Sequence, residues 1–294
     1  MDNKNCPICS GPTRQSGSRV GAYKPDQTFL YFSCESCRFS FVANPWVEFD
    51  KIYSKEYYEG RGADPLVDYL FELENADSCI RRYEWEGLFQ IVSHLTRPNT
   101  EKLRWLDYGC GNGSLVRFAR KQLGHGCIGF DEGYIADLSR GLGIPILKRD
   151  DLRQMKNSFD IVTAIEVIEH VIDPLPFLRQ IRSLLKLNGI LFLTTGNARP
   201  WRNKISDWSY ASVPEVHVSF FEPGTLAVAL EKTGFKPEYR GYLPGFSAVI
   251  KFKVLKTIRR RYGSAILDLL PWDMIARVVD MRYGVTQHPI GIAV

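Results

Sequence analysis

The chain of 294 residues has no apolar run that approaches the roughly 20 residues a helix needs to span a bilayer. It has no basic start followed by an apolar segment, so we expect no secretion signal and a cytoplasmic location. It has no internal repeat or low-complexity tract, and its net charge of +5 does not by itself indicate a nucleic-acid ligand. A globular protein remains, with an ordinary hydrophobic fraction of 45% and a length that suggests roughly two domains.

Four of the seven cysteines form two C-x-x-C pairs, Cys6 with Cys9 and Cys34 with Cys37. This pattern is typical of a four-thiolate zinc site, because each short turn directs two sulfurs to one point. The loop of residues 10–33 is rich in Gly, Ser and Arg, so metal binding would supply the folding energy that it lacks. The alternative is two disulfides, which a reducing cytoplasm disfavours. With four thiolate ligands, no coordination position remains open for catalysis, and we predict a structural zinc ribbon.

A glycine-rich turn follows an apolar strand pattern that ends at Leu106. Gly109, Gly111 and Gly113 occupy alternate positions, and a helix pattern follows over Leu115 to Leu123. Glycine permits positive φ and removes the Cβ atoms that would block a ligand. The helix presents free backbone N–H groups at its start. We therefore predict close approach of a ligand at the C-terminal edge of a sheet, where open α/β folds bind nucleotides.

Carboxylates follow the next strand patterns as well. Three further apolar runs end in them: Cys127 to Phe130 in Asp131, Ile144 to Leu147 in Asp150 and Asp151, and Phe159 to Ile165 in Glu166. A carboxylate at the tip of the second strand suits the two hydroxyls of a ribose. The regular alternation of strand, loop and helix predicts βαβ units and a parallel sheet.

Two alternatives to a mononucleotide-type site stay open on these residues. The dinucleotide fingerprint is G-x-G-x-x-G, whereas this chain has G-x-G-x-G. Ser114 occupies the position where the third glycine of the fingerprint would fall. An NAD-binding domain is therefore one alternative. A plain strand-to-helix turn is the other, although turn chemistry alone does not need three glycines and carboxylates after the following strands.

Taken as a set, LDYGCGNGS, GFDEG, DDL and FDIVTAIEVIEHVIDP resemble class I S-adenosylmethionine-dependent methyltransferases, in the branch that includes the ubiquinone-pathway O-methyltransferases. The resemblance covers about residues 80 to 240. It implies a Rossmann-like α/β fold, a seven-stranded sheet with helices on both faces, and S-adenosylmethionine as cofactor. The cofactor residues that it implies are Asp107 and Gly109 under the methionine moiety, Asp131 at the ribose, Asp150 or Asp151 beside the adenine, and Gly111, Gly113 and Glu166.

Glu166, Glu169 and His170 follow the fourth strand pattern, which predicts a position at the sheet edge facing the cofactor. A hydroxyl acceptor must lose its proton to a base or to a metal that lowers its pKa. Glu-x-x-Glu-His followed by His217 resembles the magnesium site of small-RNA 2′-O-methyltransferases and the metal site of ubiquinone-pathway enzymes. The resemblance implies that these four residues hold Mg²⁺. Alternatively, His170 or His217 acts as a general base, or backbone carbonyls satisfy both histidines.

The segments around the predicted sheet suggest further roles. Tyr53, Tyr57 and Tyr58 are candidates for a substrate lid, or for an aromatic patch that packs the ribbon against the sheet. The basic residues of 250–262 predict an amphipathic helix that contacts an anionic membrane or presents a solvated face. We predict a ribbon over 1–45, a helical cap and linker over 46–100, and a methyltransferase domain over 101–294. This domain has a helical insertion at 242–283 and a closing strand over Pro289 to Val294.

The first functional prediction is methyl transfer to a small-molecule acceptor, with a hydroxyl oxygen favoured. A ribbon beside such a domain resembles bacterial enzymes that modify sugars, glycan precursors or secondary metabolites. The second prediction is a binding module, in which ribbon and basic helices recruit RNA or a membrane to an inactive scaffold. RNA, including 2′-O-methylation of it, is less favoured because the basic segment lacks interleaved aromatics. The sequence does not predict an oligomeric state.

Overall fold

The computed structural model describes residues 5–61, 68–96, 103–123, 126–239, 242–283, 286–287 and 290–294. Two compact units divide the chain. The first, here called the ribbon unit, comprises Met1–Ile52, Ala164–Tyr239 and Val285–Val294. The second, the glycine-loop unit, comprises Tyr53–Thr163 and Arg240–Gly284. The division into parts at residues 45 and 100 stays a prediction.

A small antiparallel sheet opens the ribbon unit. Its strands, in the order β1-β2-β3-β9, are β1 (Thr13–Val20), β2 (Thr28–Cys34), β3 (Ser40–Val42) and β9 (Ser219–Phe220). Phe29 and Tyr31 of β2 pack in one buried cluster with Trp208 and Phe220. The N-terminal strands therefore complete their core with side chains from 198–220, as expected for a segment too polar to bury a core by itself.

The other strands of the ribbon unit lie around one long strand. The elements are α8 (Pro174–Leu184), β8 (Leu185–Gly196), α9 (Pro223–Glu231), β10 (Phe235–Glu238), β11 (Thr286–Gln287) and β12 (Ile290–Ala293). A short α1 (Phe49–Ile52) precedes them. β12 pairs antiparallel with both β8 and β10. The predicted closing strand is thus confirmed, and its first residue, Pro289, lies outside the described residues.

Parallel strands form the centre of the glycine-loop unit. They are β4 (Trp105–Tyr108), β5 (Cys127–Phe130), β6 (Ile146–Leu147) and β7 (Phe159–Ile165), whose last two residues belong to the ribbon unit. Their connections are α5 (Ser114–Leu123), α6 (Tyr134–Gly141) and α7 (Arg149–Gln154). The hydrogen-bonded order is β10-β12-β8-β7-β4-β5-β6, with β11 attached to β8. The Rossmann-like seven-stranded sheet is confirmed.

The remaining helices of the glycine-loop unit come from two distant segments. They are α2 (Lys55–Tyr58), α3 (Tyr69–Glu74), α4 (Arg81–Leu95), α10 (Phe246–Thr257), α11 (Ala265–Asp268) and α12 (Trp272–Tyr283). Within the described ranges, no helix has both the length and the apolar content required to cross a bilayer.

Two helix predictions near the C-terminus are wrong in their bounds. The helix expected over 250–262 ends at Thr257, because Arg259 adopts φ +56° and turns the chain out of the helix. The helix expected over 265–279 is divided at Pro271, since proline cannot donate the backbone hydrogen bond that continuation requires. Membrane contact through 250–262 stays a prediction, although Lys251 is buried with its ammonium over the Tyr83 ring.

Helices α4 and α10 approach each other through two glycines. A Cβ atom on Gly87 would lie 2.4 Å from the carbonyl oxygen of Gly245 and 3.0 Å from the backbone nitrogen of Val249. Gly245 has φ +92°, a conformation that side chains disfavour. The close contact of the two backbones therefore depends on the absence of a side chain at both positions.

We predict that Gly87→Ala lowers the free energy of unfolding by about 1–3 kcal/mol, because the methyl group must separate two packed helices. Gly141→Ala is the matched control, since nothing lies within 4 Å of its added Cβ. This control should be neutral or slightly stabilising, given the helix propensity of alanine. Urea denaturation of both variants measures the difference, and equal midpoints would contradict the close packing.

Candidate functional site

The loop between β4 and α5 is built from three glycines in the left-handed region. Gly109, Gly111 and Gly113 have φ of 76°, 54° and 67°. A Cβ on Gly111 would lie 2.8 Å from Cε1 of Tyr69, and one on Gly113 would lie 2.7 Å from Cγ2 of Ile144. Positive φ therefore favours glycine at all three positions, and space also requires it at Gly111 and Gly113, which is more than a plain strand-to-helix turn needs.

Asp131, at the end of β5, holds this loop. One carboxylate oxygen accepts a hydrogen bond of 2.7 Å from the backbone N–H of Gly111, and the other accepts one of 2.7 Å from Glu132. The N–H groups of Gly109 and Cys110 donate to the Phe130 carbonyl. Burial raises the pKa of Asp131 to about 6. The end of one strand and the loop after its neighbour thus form one rigid notch.

Asp107 is buried at the base of the same notch. Thr163 Oγ1 donates a 2.7 Å hydrogen bond to its carboxylate, and Trp105 Nε1 donates one of 2.9 Å to Thr163 Oγ1. Burial raises the pKa of Asp107 to about 7. Trp105 and Thr163 were not predicted as site residues, because apolar and β-branched residues inside a strand pattern are indistinguishable from ordinary core.

The two aspartates implied beside the adenine are exposed, in contrast to the buried Asp107. Asp150 and Asp151 are exposed in the first turn of α7, and Asp150 pairs with Arg153 at 3.1 Å. Ser114 begins α5, and its buried hydroxyl has no hydrogen-bond partner within the described part of the chain. A role of the two aspartates beside the adenine stays a prediction.

Tyrosines pack next to the notch in the glycine-loop unit. Tyr57 and Tyr58 are buried with Ile135, and Tyr53 and Tyr69 pack against them. The Tyr58 and Tyr69 rings lie 5.6 Å apart, edge to face. Burial and the nearby Asp131 carboxylate raise the pKa of Tyr58. The lid role stays a prediction, and the structure adds Tyr69, whose ring covers Gly111 and whose carbonyl accepts from Asn112 Nδ2 at 2.9 Å.

A second cluster lies in the ribbon unit. Ligand atoms of Glu169, His170 and His217 all lie within 4.8 Å of one another. Glu169 and His170 belong to a 3₁₀ turn, Ile168–His170, after β7, and Val218 N–H donates to the Glu169 carbonyl at 2.8 Å. Glu166 lies outside this group of three, and it adopts φ +54° with its carboxylate accepting from Thr194 Oγ1 at 3.0 Å. Three of the four predicted residues are therefore brought together.

Tyr210 connects the carboxylates to the imidazoles, and it was not predicted. Its hydroxyl contacts Glu166 at 2.9 Å and also contacts Glu169. Its ring stacks on His217 with centroids 4.2 Å apart, and its carbonyl accepts from His217 Nδ1. The tyrosine lies in a 3₁₀ turn, Ser209–Ala211, within a segment that has no clear periodicity. No local signal marks it as a site residue.

Proton placement in this cluster follows from burial. Burial and the Glu166 charge raise the pKa of Glu169 to about 8, and burial together with His217 lowers that of His170 to about 3. The Tyr210 hydroxyl donates to one oxygen of Glu169, and Thr195 Oγ1 donates to the other at 3.0 Å. His170 Nδ1–H donates to the Val216 carbonyl at 3.0 Å. Neutral imidazole is the form in which histidine binds a metal.

The four N-terminal cysteines converge as the C-x-x-C spacing predicts. Their sulfurs lie within 4.8 Å of one another, with Cys6 to Cys37 at 3.5 Å and Cys9 to Cys34 at 3.4 Å. Tetrahedral zinc with bonds of about 2.3 Å separates sulfurs by about 3.8 Å. All four are free thiols, so the disulfide alternative is not adopted. Thr225 Oγ1 donates to the Cys37 carbonyl and thereby attaches this cluster to α9.

Residues 80–239, more than half of the chain, match the model of a family described as a methyltransferase domain. The chain belongs to this family, which confirms the predicted resemblance and decides against the dinucleotide-binding alternative.

Two curated relatives are ubiquinone biosynthesis O-methyltransferases. The protein of Parvibaculum lavamentivorans strain DS-1 is 31% identical over 37% of this chain and 46% of its own length. The protein of Cereibacter sphaeroides strain ATCC 17025 is 32% identical over 46% of this chain and 61% of its own length. The chain thus spans about half the length of the curated relatives it matches.

Solved structures with a similar fold include geranyl diphosphate C-methyltransferase from Streptomyces coelicolor A3(2). It has a TM-score of 0.46 and 17% identity, over 86% of this chain and 91% of that one. The [4+2]-cyclase SpnF has a TM-score of 0.46 and 19% identity, over 70% of this chain and 79% of that one.

We predict that the protein purifies with one zinc ion per chain and that Cys34→Ser loses it, because three thiolates do not close a structural site. Metal content by mass spectrometry measures the loss, and the variant should also unfold at a lower temperature. Cys127→Ala is the control, since Cys127 is buried outside the four-cysteine cluster. Full metal content in Cys34→Ser would contradict the four-thiolate site.

Proposed function

We propose that this chain transfers the methyl group of S-adenosylmethionine to a hydroxyl oxygen of a small molecule, such as a sugar, a glycan precursor or a secondary metabolite. The three-glycine loop held by Asp131 carries the proposal. It places the backbone of three residues with positive φ next to two carboxylates, the buried Asp107 and the half-buried Asp131. The family match over residues 80–239 supports the reaction class.

The donor set of the notch fits this cofactor. Asp107 and Asp131 have raised pKa values because burial disfavours their charged forms, so a ligand with a positive charge and hydroxyl donors would stabilise them. Ser114 offers a buried hydroxyl. We assign the methionine moiety to Asp107 and Gly109 and the ribose to Asp131, whose oxygens each retain a second lone pair. Bound here, the cofactor supplies an activated methyl group on a sulfonium.

We further propose that Glu169, His170 and His217 hold a divalent ion. Two imidazoles and one carboxylate suit manganese or zinc better than magnesium, which prefers oxygen ligands. The ion would compensate the buried Glu169 carboxylate, whose pKa burial otherwise raises to about 8. Such an ion lowers the pKa of a bound hydroxyl and so favours the nucleophilic alkoxide.

The surrounding residues orient the proposed ligands. The carbonyls of Val216 and Tyr210 each accept from an Nδ1–H and so orient the two imidazole rings. Tyr210 and Thr195 hold the Glu169 carboxylate through its two oxygens. Glu166 shares the Tyr210 hydroxyl, so we assign it a positioning role and not a direct bond to the ion.

Gly111→Ala tests the cofactor notch. We predict at least about a tenfold loss of affinity for S-adenosylhomocysteine, because the methyl group meets Tyr69 and strains the left-handed backbone. Gly143→Ala is the matched control, since Gly143 also has positive φ (79°) but has nothing within 4 Å of its added Cβ. Calorimetry on both variants measures the affinity, and equal binding would remove the basis for the site.

His217→Ala tests the second cluster. We predict that Mn²⁺ affinity falls at least about tenfold and methyl transfer is lost, since even changes outside the ligand shell have effects of that size. Binding of S-adenosylhomocysteine should persist. His94→Ala, at an exposed position of α4, is the control.

A panel of hydroxyl acceptors with labelled cofactor, assayed before and after chelation, gives the second readout for this cluster. Activity that chelation abolishes and Mn²⁺ restores supports the metal. Activity that is indifferent to chelation but absent in His217→Ala would reject the metal and make His217 a general base.

A further inference from the structure

A cavity of about 460 Å³ lies in the glycine-loop unit where the end of α10 meets α3 and α4. Its volume is in the range of small-molecule sites. Five basic side chains line it: Arg81, Lys256, Arg259, Arg260 and Arg261. The acidic side chains of its lining are Asp68 and Glu72. The cavity therefore carries an excess of positive charge.

Two of the basic residues are already committed to carboxylates. Arg81 is half-buried and donates to Glu72 at 3.0 Å and to Glu84 at 2.8 Å. Arg261 pairs with Asp68, and its guanidinium lies 3.8 Å from the centroid of the Phe71 ring. Arg259 and Arg260 are exposed and form no ion pair within the described ranges. The excess charge thus resides on consecutive residues at one end of the cavity.

The backbone that carries Arg259 and Arg260 is fixed. Arg260 N–H donates to the Leu255 carbonyl at 3.0 Å and Arg259 N–H donates to the Lys256 carbonyl at 2.9 Å, which together form a Schellman ending of α10. Ile80 N–H donates to the Arg261 carbonyl at 2.9 Å. The guanidiniums therefore extend from an ordered turn that is tied to the start of α4.

Arg259 occupies a position that usually holds glycine. Its φ of +56° places it at the left-handed residue of the helix ending, where a side chain is unfavourable. A strained residue of this kind points to a role for its side chain. A guanidinium suits that role, because its planar donors match phosphate oxygens.

We propose that this cavity binds a phosphorylated organic molecule. The phosphate lies between Arg259 and Arg260 with Lys256 adjoining, and the organic part packs on the Phe71 and Phe252 side of the lining. The site is separate from the proposed methyl-transfer chemistry. It adjoins the cofactor notch through one segment, because Asp68 and Phe71 line the cavity while Tyr69 between them covers Gly111.

Titration calorimetry with inorganic phosphate, pyrophosphate and phenyl phosphate tests the proposal on the full chain. Saturable binding is expected for all three, with phenyl phosphate at least about tenfold tighter than inorganic phosphate because its ring is buried. Equal affinity for these two would overturn the organic part of the proposal. The absence of saturable binding for all three would overturn the site.

Arg259→Gln/Arg260→Gln should weaken phenyl phosphate binding by about tenfold or more, since charge-assisted hydrogen bonds are lost. Arg179→Gln/Lys232→Gln is the matched control, because it removes two positive charges from exposed positions outside the cavity. Equal binding by both double variants would reject the assignment. Affinity for S-adenosylhomocysteine should be unchanged in both, so failure here is distinguishable from failure of the methyltransferase proposal.

Arg259→Gly separates function from folding. Glycine relieves the left-handed strain, so the melting temperature should rise by about 2 °C. The same substitution should weaken phenyl phosphate binding by about tenfold. A variant that is more stable and retains full affinity would show that Arg259 does not contribute to the ligand site.

Discussion

The hydrogen bond from Gly111 N–H to the Asp131 carboxylate is the interaction on which the cofactor notch depends. It joins the loop after β4 to the end of β5, which are adjacent only because the two strands pair in parallel. The bond requires glycine geometry on one side and a half-buried carboxylate on the other. Burial raises the pKa of that carboxylate to about 6, because it disfavours the charged form. A cationic ligand would stabilise this charged form.

The ribbon unit shows a similar dependence between distant segments. Tyr31 of β2 donates a 2.6 Å hydrogen bond to the Ala211 carbonyl, next to the tyrosine that holds Glu166 and Glu169. Glu215 accepts from the N–H groups of Tyr23 and Lys24 at the other end of the ribbon strands. The N-terminal ribbon strands thus support the Glu169 cluster.

Particular residues show how far sequence patterns reach. Gly109, Gly111 and Gly113 were identified from spacing, and all three adopt positive φ. Cys6, Cys9, Cys34 and Cys37 were identified in the same way and converge. The basic run of 259–261 was interpreted as part of a helix, but Arg259 ends the helix and directs the run to a cavity. The spacing of apolar residues in a helix pattern does not reveal that a residue other than glycine adopts the left-handed conformation.

The sequence by itself determined the alternation of strands and helices, the glycine loop, the strand-end carboxylates and the paired cysteines, because each depends on residues a few positions apart in the chain. Only the tertiary structure decided that Tyr210 joins Glu166 to Glu169, that Tyr69 covers Gly111, and that the 259–261 turn faces α3. These contacts connect segments tens or hundreds of residues apart. Packing and burial in the folded protein select these contacts, and the local sequence pattern does not show which distant segments pack together.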